Sequence, residues 1–574
     1  MPQKKTTRPP KPKTPANKKV NLKYVFVVGG VMSGVGKGIA SASVGKILQA
    51  RGYEVTAIKI DPYVNVDAGT MNPTEHGEVF VLEDGTECDQ DMGNYERFLD
   101  RNLSGTNYMT TGSMYLSIIT KERNLAYEGK CVSVVPHVPL EVINKINLAA
   151  RKSGADIVIT EIGGTVGEYQ NILFLEAVRM LKVKKPDDVL LILVSYLPQR
   201  GDDNEPKTKP TQYAVRTLNS AGLQPDIIIA RAEKPLDRKR KEKIAFNCNI
   251  SEPDVISGPD VRNIYEIPVN FEKEKISNRL LKKLNLPNRG RDLKEWRALA
   301  RRVERLTSPV KIGIVGKYFA SGDFVLSDSY ISVIESVKHA AYIEKRKPEI
   351  IWIDAIDFDP ATPGYRENLK RLKTLDGVIV PGGFGGRAIE GKINAINYCR
   401  REKIPYLGLC YGLQLAVIEF ARHAAKLKNA NTTEINAQTP HPVIDILPEQ
   451  KKLIAEKKYG ASMRLGAYPA ILRKETIAYN AYHASHRLER GGRISERHRH
   501  RYEVNPNYIS RLEKKGLIFS GRSPDGRLME IMELPKKVHP FFLGTQFHPE
   551  FKSRPITGHP LFLAFIKAAI RYRK

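Results

Sequence analysis

Residues 408–412 read Gly408-Leu409-Cys410-Tyr411-Gly412 and follow directly on the apolar run Ile404–Leu409. A cysteine between two glycines at a strand-to-helix junction is a nucleophile elbow. The glycines permit the sharp turn that lifts a thiol out of a sheet, and the helix N-terminus behind the thiol favours the thiolate. Such an elbow asks for a strand that feeds a helix, and the rest of the chain repeats that pattern. Strands and helices alternate in both halves, which predicts an α/β protein of two doubly wound, mostly parallel sheets with helices on both faces. In the first half the strands are expected at 24–29, 54–60, 131–135, 156–161, 189–196 and 226–230. In the second they are expected at 311–316, 350–354, 377–381 and 404–409.

Far downstream, Gln546-Phe547-His548-Pro549-Glu550 closes another apolar run. His548 can act as base toward Cys410, and Glu550 can orient His548 and stabilise its cation. A lone cysteine is more often a small buried apolar group than a nucleophile. Here the elbow, the distant His-x-Glu and the intervening Pro381-Gly382-Gly383-Phe384-Gly385-Gly386 agree with one another. The constellation resembles the class I glutamine amidotransferases, in which a thiolate attacks the side-chain amide of glutamine and releases ammonia. The resemblance implies an oxyanion hole built from one backbone N–H of the Gly382-Gly383 segment, taken at Gly383, and from that of Tyr411. A glutaminase of this kind feeds a partner domain that consumes the ammonia.

In the first half, the apolar strand Tyr24-Val25-Phe26-Val27-Val28 runs into Gly29-Gly30-Val31-Met32-Ser33-Gly34-Val35-Gly36-Lys37-Gly38 and then into a helical pattern over Ile39–Arg51. Strand, Gly-rich loop and helix make a phosphate cradle: backbone N–H groups and the helix dipole face the anion, and Lys37 adds a charge. The loop departs from Walker A. Gly30 lies six residues before Gly36 instead of five, and Gly38 stands where Ser or Thr is usual. Without that hydroxyl, carboxylates must supply the metal.

Further segments are Lys59-Ile60-Asp61-Pro62-Tyr63-Val64-Asn65-Val66-Asp67, His76-Gly77-Glu78-Val79-Phe80-Val81, Asp89-Gln90-Asp91-Met92-Gly93, Glu161-Ile162-Gly163-Gly164-Thr165-Val166-Gly167 and Lys207-Thr208-Lys209-Pro210-Thr211-Gln212. In the second half come Asn431-Thr432-Thr433-Glu434, Met463-Arg464-Leu465-Gly466 and Arg497-His498-Arg499-His500-Arg501-Tyr502-Glu503. Together these segments are similar to the CTP synthase family, from about Asn21 to the C-terminus. The resemblance implies a C–N ligase that aminates UTP to CTP at the expense of ATP, the last step of CTP synthesis de novo. The ammonia would come from glutamine, and the uracil would be phosphorylated at O4 on the way. By the same resemblance Ser33, Gly34, Val35, Gly36, Lys37, Gly38, Lys59, Asp91 and Arg231 bind ATP, and Asp91 and Glu161 hold Mg²⁺. Ser33, Lys207, Lys209, Gln212, Lys243, Glu168 and Gln170 bind UTP or CTP. Gly383, Gln414, Glu434 and Arg501 hold glutamine. The family also implies GTP as an allosteric activator acting through a loop at Arg387, CTP as product inhibitor, and a homotetramer, able to form filaments, whose subunits share nucleotide sites.

Two departures from the family pattern stand out. Gly386 precedes Arg387 where an aromatic is usual, which puts the strength of GTP activation in question. After Gly167 the chain reads Glu168-Tyr169-Gln170 in place of the family's Asp-Ile-Glu, so one acid of the product-inhibitor site is lost.

The net charge of +29 asks for a partner. Residues 1–21 concentrate part of it in Lys4, Lys5, Arg8, Lys11, Lys13, Lys18 and Lys19 among prolines, a composition expected to stay disordered. A solvated tail on a generally basic enzyme of nucleotides accounts for this charge without a nucleic-acid or membrane partner. Five irregularly spaced cysteines suggest neither a disulfide framework nor a zinc site. No apolar run is long enough to span a membrane, and no leader h-region follows the N-terminus, so a cytoplasmic enzyme is expected. The segments divide into a tail (1–21), a synthetase domain (22–284), a linker with a charged helix over Leu293–Leu306 (285–309) and a glutaminase domain (310–574). Three rival readings are an amidotransferase with another acceptor, a nucleic-acid-associated ATPase with a deviant phosphate loop, and a filament protein with dead catalysis. The Lys207–Gln212 segment opposes the first, and the intact Cys410, His548, Glu550 and Lys37 oppose the third. Assay with UTP, and a salt-sensitive DNA affinity, separate the first two from the family reading.

Overall fold

The computed structural model describes residues 21–573 except 200–204, 291, 318–319, 322–323, 326, 384 and 447–462. The basic tail, apart from Asn21, lies outside the described residues, as does Phe384 of the glycine-rich segment. The first half folds around a seven-stranded, wholly parallel sheet. Its order is Tyr108–Thr110, Val55–Asp61, Ile157–Ile162, Lys23–Gly29, Val189–Tyr196, Ile227–Ala232, Val255–Pro259. Every residue of the central strand Lys23–Gly29 is buried, as a strand covered on both faces requires. The glycine-rich loop over 29–36 leaves this central strand and enters the helix Lys37–Ala50. The loop thus opens at the carboxyl ends of the strands, where α/β sheets place ligands.

One expected strand is absent. Residues 131–135 do not join the sheet, and a helix is assigned over Val134–Ser153. The run Cys131-Val132-Ser133-Val134-Val135 is rich in β-branched residues, but Pro136 follows it, and a residue before proline is held extended without being able to extend a ladder. Val134 and Val135 are exposed, and the sheet edge beside Val55–Asp61 is taken by Tyr108–Thr110.

The second half carries a nine-stranded sheet. Lys347–Asp354, Pro309–Gly316, Gly377–Val380, Tyr406–Leu409 and Phe542–Thr545 run parallel. Beyond them Met529–Glu533, Ile518–Arg522, Arg464–Leu472 and Arg493–His500 continue the sheet antiparallel. The linker helix spans Lys294–Glu304 and is no loose tether: Leu293, Trp296 and Leu299 are buried in the same core as Leu48 and Phe98 of the first domain.

The domains meet along Arg493–His500. Because strand side chains alternate between faces, Arg-His-Arg-His divides into two sets. Arg497 and Arg499 reach across to the first domain, whereas His498 pairs with Glu530 of its own sheet at 2.7 Å. The Arg497 guanidinium donates to both oxygens of Glu96, at 2.9 Å each, and to Glu83 at 2.9 Å. Arg554 adds a contact to Glu96 at 3.2 Å, and Lys552 one to Glu83 at 2.9 Å. Neither Arg497 nor Glu96 is exposed at all. Removing one partner of a buried pair leaves the other charge uncompensated, at a cost of about 3–5 kcal/mol. Glu96→Ala is therefore expected to lower the unfolding midpoint, measured by calorimetry, far more than Glu54→Ala, since Glu54 is itself exposed and its partner Arg101 only half-buried. Equal midpoints for the two variants would contradict this account of the interface.

Candidate active sites

Cys410 ends the strand Tyr406–Leu409 with φ 51° and ψ −98° and caps the helix Tyr411–His423. A non-glycine residue held there is strained, and the surroundings must over-determine it. They do so from two sides. The Cys410 N–H donates to Thr545 O at 2.6 Å. A side-chain carbon at Gly412 would lie 2.2 Å from Val380 O, so only glycine lets the helix close on the neighbouring strand. The strand Phe542–Thr545, paired with Tyr406–Leu409, then delivers His548 to the same end of the sheet.

His548 Nδ1 and Glu550 Oε1 are 2.7 Å apart, which leaves Nε2 for the thiol. Burial works against the imidazolium, but the Glu550 carboxylate and the Cys410 sulfur raise His548 to about 10. The geometry thus favours a protonated His548 beside the sulfur of Cys410. The Gly382 backbone lies against both groups: a side-chain carbon there would meet His548 Cε1 at 3.0 Å and Cys410 Cβ at 3.8 Å. Glu434 accepts the Gly385 N–H at 2.9 Å and faces the Arg501 charge. Gln414 is buried and donates to Tyr502 O at 2.9 Å.

A cavity of about 80 Å³ opens at this cysteine. Cys410, His548 and Gly383 line it from one domain, Glu78 and Val79 from the other. Arg499 bridges the two. Its carbonyl accepts from Cys410 Sγ at 3.7 Å, while its guanidinium donates to Glu87 of the first domain at 2.7 Å.

In the first domain, Lys37 donates to Gly164 O at 2.8 Å, and Ser33 and Gly34 are exposed at the tip of the loop. Burial holds Lys37 below the usual lysine range, and Glu161 and Asp91 partly offset this. Lys59 sits among four acids. It bonds Asp91, lies 3.4 Å from Asp89 and from Glu161, and 3.6 Å from Asp61. Burial raises Asp61 to about 7 and pushes Glu161 up as well, while Lys59 keeps Asp91 low against the same burial. Four carboxylates against two lysines leave a formal surplus of two negative charges, in oxygen donors that suit a hard divalent cation. Among the described residues no three acid, His or Cys side chains are arranged to hold a metal, because Lys59 Nζ stands between these four.

The structure also gives the reason for Gly38. A side-chain carbon there would fall 2.0 Å from Asp91 Oδ1. The carboxylate occupies the space that the usual Ser or Thr hydroxyl would fill. Arg231 crosses the loop at Gly36 and pairs with Asp260 at 2.6 Å.

The remaining expected residues are more scattered. Glu168 accepts from Thr165 N at 2.9 Å and from Gln170 Nε2 at 2.7 Å, on the Gly164 side of Lys37. Lys207 pairs with Glu205 at 2.8 Å, and Gln212 is buried and donates to Thr208 at 3.1 Å. Lys209 and Lys243 are exposed, and among the described residues neither side chain is joined to the phosphate loop by a hydrogen bond or an ion pair. Sequence reasoning gave no role to Asp61, Asp89 or Asp260, nor to the bridge made by Arg497 and Arg499. The period of two in Arg-His-Arg-His-Arg is the signal that would have found the bridge.

The family model described as "CTP synthase N-terminus" matches residues 23–286, and "Glutamine amidotransferase class-I" matches residues 325–568. The CTP synthase of Caldanaerobacter subterraneus subsp. tengcongensis is 49% identical over 552 residues, which are 96% of this chain and 99% of that protein. The CTP synthase of Methanocaldococcus jannaschii is 50% identical over 557 residues, 96% of this chain and 98% of the relative. Among solved structures, the Trypanosoma brucei CTPS glutaminase domain with bound acivicin aligns with 46% of this chain and 94% of its own, at 36% identity and a TM-score of 0.41.

The contact between Gly38 and Asp91 yields a direct test. Gly38→Ser must displace the Asp91 carboxylate. Phosphate release from ATP is expected to fall on the order of 10²-fold, as loss of a preorganised charged group does, while glutamine hydrolysis stays within about threefold of the parent. Undiminished phosphate release would remove Asp91 from the site.

Proposed function

The chain belongs to the CTP synthase family and makes CTP from UTP, ATP and glutamine, and from that premise we propose how its residues divide the work. At Cys410 the thiolate attacks the glutamine amide, and the N–H groups of Gly383 and Tyr411 take the oxyanion. His548 passes its proton to the departing nitrogen, so that ammonia and a thioester result; water attacking the thioester then yields glutamate. Glu550 holds the ring and compensates its charge. Glu434 and Arg501 take the amino-acid end of the substrate, with Gln414 alongside.

In the other domain, the loop over 33–38 and Lys37 hold the ATP phosphates at a helix N-terminus, with Arg231 across the loop. Asp91 and Glu161 would hold Mg²⁺, which supplies charge stabilisation at the transferred phosphoryl group. The surplus of carboxylates around Lys59 supports that assignment. Phosphorylation of UTP at O4 creates the leaving group that ammonia displaces. Ser33, Lys207, Lys209, Gln212 and Lys243, with Glu168 and Gln170, take UTP, and CTP as inhibitor. The exposure of Lys209 and Lys243 in a single chain supports a site completed by another subunit of a tetramer. GTP activation through the Arg387 loop and a cytoplasmic location belong to the same reading. The five free cysteines, Cys131 among them exposed, suit a reducing compartment. Among the described residues no helix is long and apolar enough to cross a membrane.

The observation that carries this division of labour is the cavity at Cys410. Glu78 and Val79 of the synthetase half form part of its wall, so ammonia is released already facing the domain that uses it. Cys410→Ala is expected to abolish CTP formation from glutamine and to leave formation from ammonium within a few-fold, followed by absorbance with the two nitrogen sources side by side. Loss of both activities would make Cys410 a structural residue and end this reading.

A further inference from the structure

Two lysines lie buried beside the glutamine end of the glutaminase site. Lys392, in the first turn of the helix Ile389–Arg401, has no exposed surface, and among the described residues its Nζ has no hydrogen-bond partner. Lys317, just past the strand Pro309–Gly316, is 5% exposed and donates to Gly385 O at 2.9 Å. Both ammonium groups converge on one ring: Lys317 Nζ is 5.5 Å and Lys392 Nζ 5.8 Å from the centre of Tyr411. The Tyr411 hydroxyl donates to the same Gly385 carbonyl at 3.3 Å. On the other side of that residue, the Gly385 N–H donates to Glu434 at 2.9 Å. Gly385 is thus clamped through both its carbonyl and its N–H.

A buried ammonium without a hydrogen-bonded partner is costly, and methionine would fill the space of Lys392 without that cost. Burial lowers Lys392 to about 7, with the nearby Lys317 pushing the same way and Asp354 opposing. Burial lowers Lys317 to about 8, with Glu434 opposing and Arg387 adding to the effect. Breaches of a local rule of this kind collect where a chain serves function over stability. The two segments that these lysines touch are the two expected to donate to the oxyanion.

We propose that Lys317 and Lys392 are positioning residues for the oxyanion hole. Lys317 fixes the Gly385 carbonyl, and the head groups of both lysines pack at the Tyr411 ring. The peptides bearing the Gly383 and Tyr411 N–H groups thereby keep their relative orientation before the tetrahedral intermediate forms. The inference rests on the reading of those two N–H groups as the oxyanion donors. Such preorganisation acts on the transition state more than on the bound substrate, so its loss lowers kcat with little change in KM.

The test uses Lys317→Met, Lys317→Arg and Lys392→Met in the full chain, assayed for glutamine hydrolysis and for CTP formation from ammonium. Each Met variant is expected to lose about tenfold or more in kcat for glutamine, with KM within about threefold and ammonium-dependent synthesis unchanged. Lys317→Arg should recover part of the loss, and Lys392→Met should melt no lower than the parent. Unchanged kcat in both Met variants, a loss confined to KM, or both activities falling together with the melting temperature would overturn the inference. If Lys317→Met does not fold, Lys392→Met, which conserves length and burial, decides the matter by itself. Cys410→Ala separates two kinds of failure. If glutamine hydrolysis survives without the thiol, the reading of the site falls and takes this inference with it. If hydrolysis is lost with the thiol while the lysine variants behave as the parent, only the inference falls.

Discussion

The buried pair between Arg497 and Glu96 is the contact on which the two-site design depends. Both groups are withdrawn from water, and each is costly there without the other. The pair is therefore weak evidence for added stability and strong evidence for register: domains that slide leave two uncompensated charges. Around it, Arg554, Lys552, Glu83 and the Arg499–Glu87 pair repeat the same demand. One strand carries Arg497 and Arg499 because both face the synthetase half while His498 faces its own sheet, and Lys552 and Arg554 join them from the segment after His548. The carbonyl of Arg499 touches Cys410 Sγ while its side chain touches the other domain, so fixing the interface also fixes the cavity at Cys410.

The helix Asp91–Leu99 carries this constraint into the synthetase site. It begins with Asp91, whose carboxylate fills the space over Gly38 and bonds Lys59. Within two turns it presents Glu96 to Arg497 and Arg97 to Ser332 Oγ at 3.3 Å. Ser332 in turn donates to Glu78, which lines the cavity at Cys410. A nine-residue helix thus spans from the phosphate loop to the glutaminase, and neither site can shift far without disturbing it.

The local chemistry was largely legible in the sequence. The elbow at Cys410, the His548–Glu550 pair and the loop ending in Lys37 are short motifs with local mechanisms; the structure places Cys410 between a strand and a helix, His548 beside Glu550 and Lys37 at the start of the helix after its loop. Expected strands with partners on both sides lie within three residues of their predicted limits. The run at 131–135 failed because β-branched composition describes a half-buried surface and not a place in a sheet, and Pro136 removes the ladder. The antiparallel half of the second sheet was not anticipated, since Met529–Glu533 is broken by glutamates, Arg493–His500 is almost wholly polar and Pro469 interrupts Arg464–Leu472, so none reads as the continuous apolar run of a parallel strand. The interface was hidden for another reason. Glu96 and Arg497 lie 401 positions apart, and neither residue alone announces burial. Asp61 and Asp89 likewise look like ordinary acids until Lys59 is seen among them.

On the proposed division of labour, nitrogen passes from Cys410 to the synthetase half inside the molecule. Glutamine labelled with ¹⁵N at its side-chain amide, supplied with UTP, ATP and an excess of unlabelled ammonium near neutral pH, tests it by mass spectrometry of the CTP formed. If the cavity between the domains is the route, the exocyclic nitrogen of CTP carries the label far above its share of the mixed ammonia pool. Label diluted to the composition of that pool would mean that ammonia escapes to solvent before it is used, and would contradict the account.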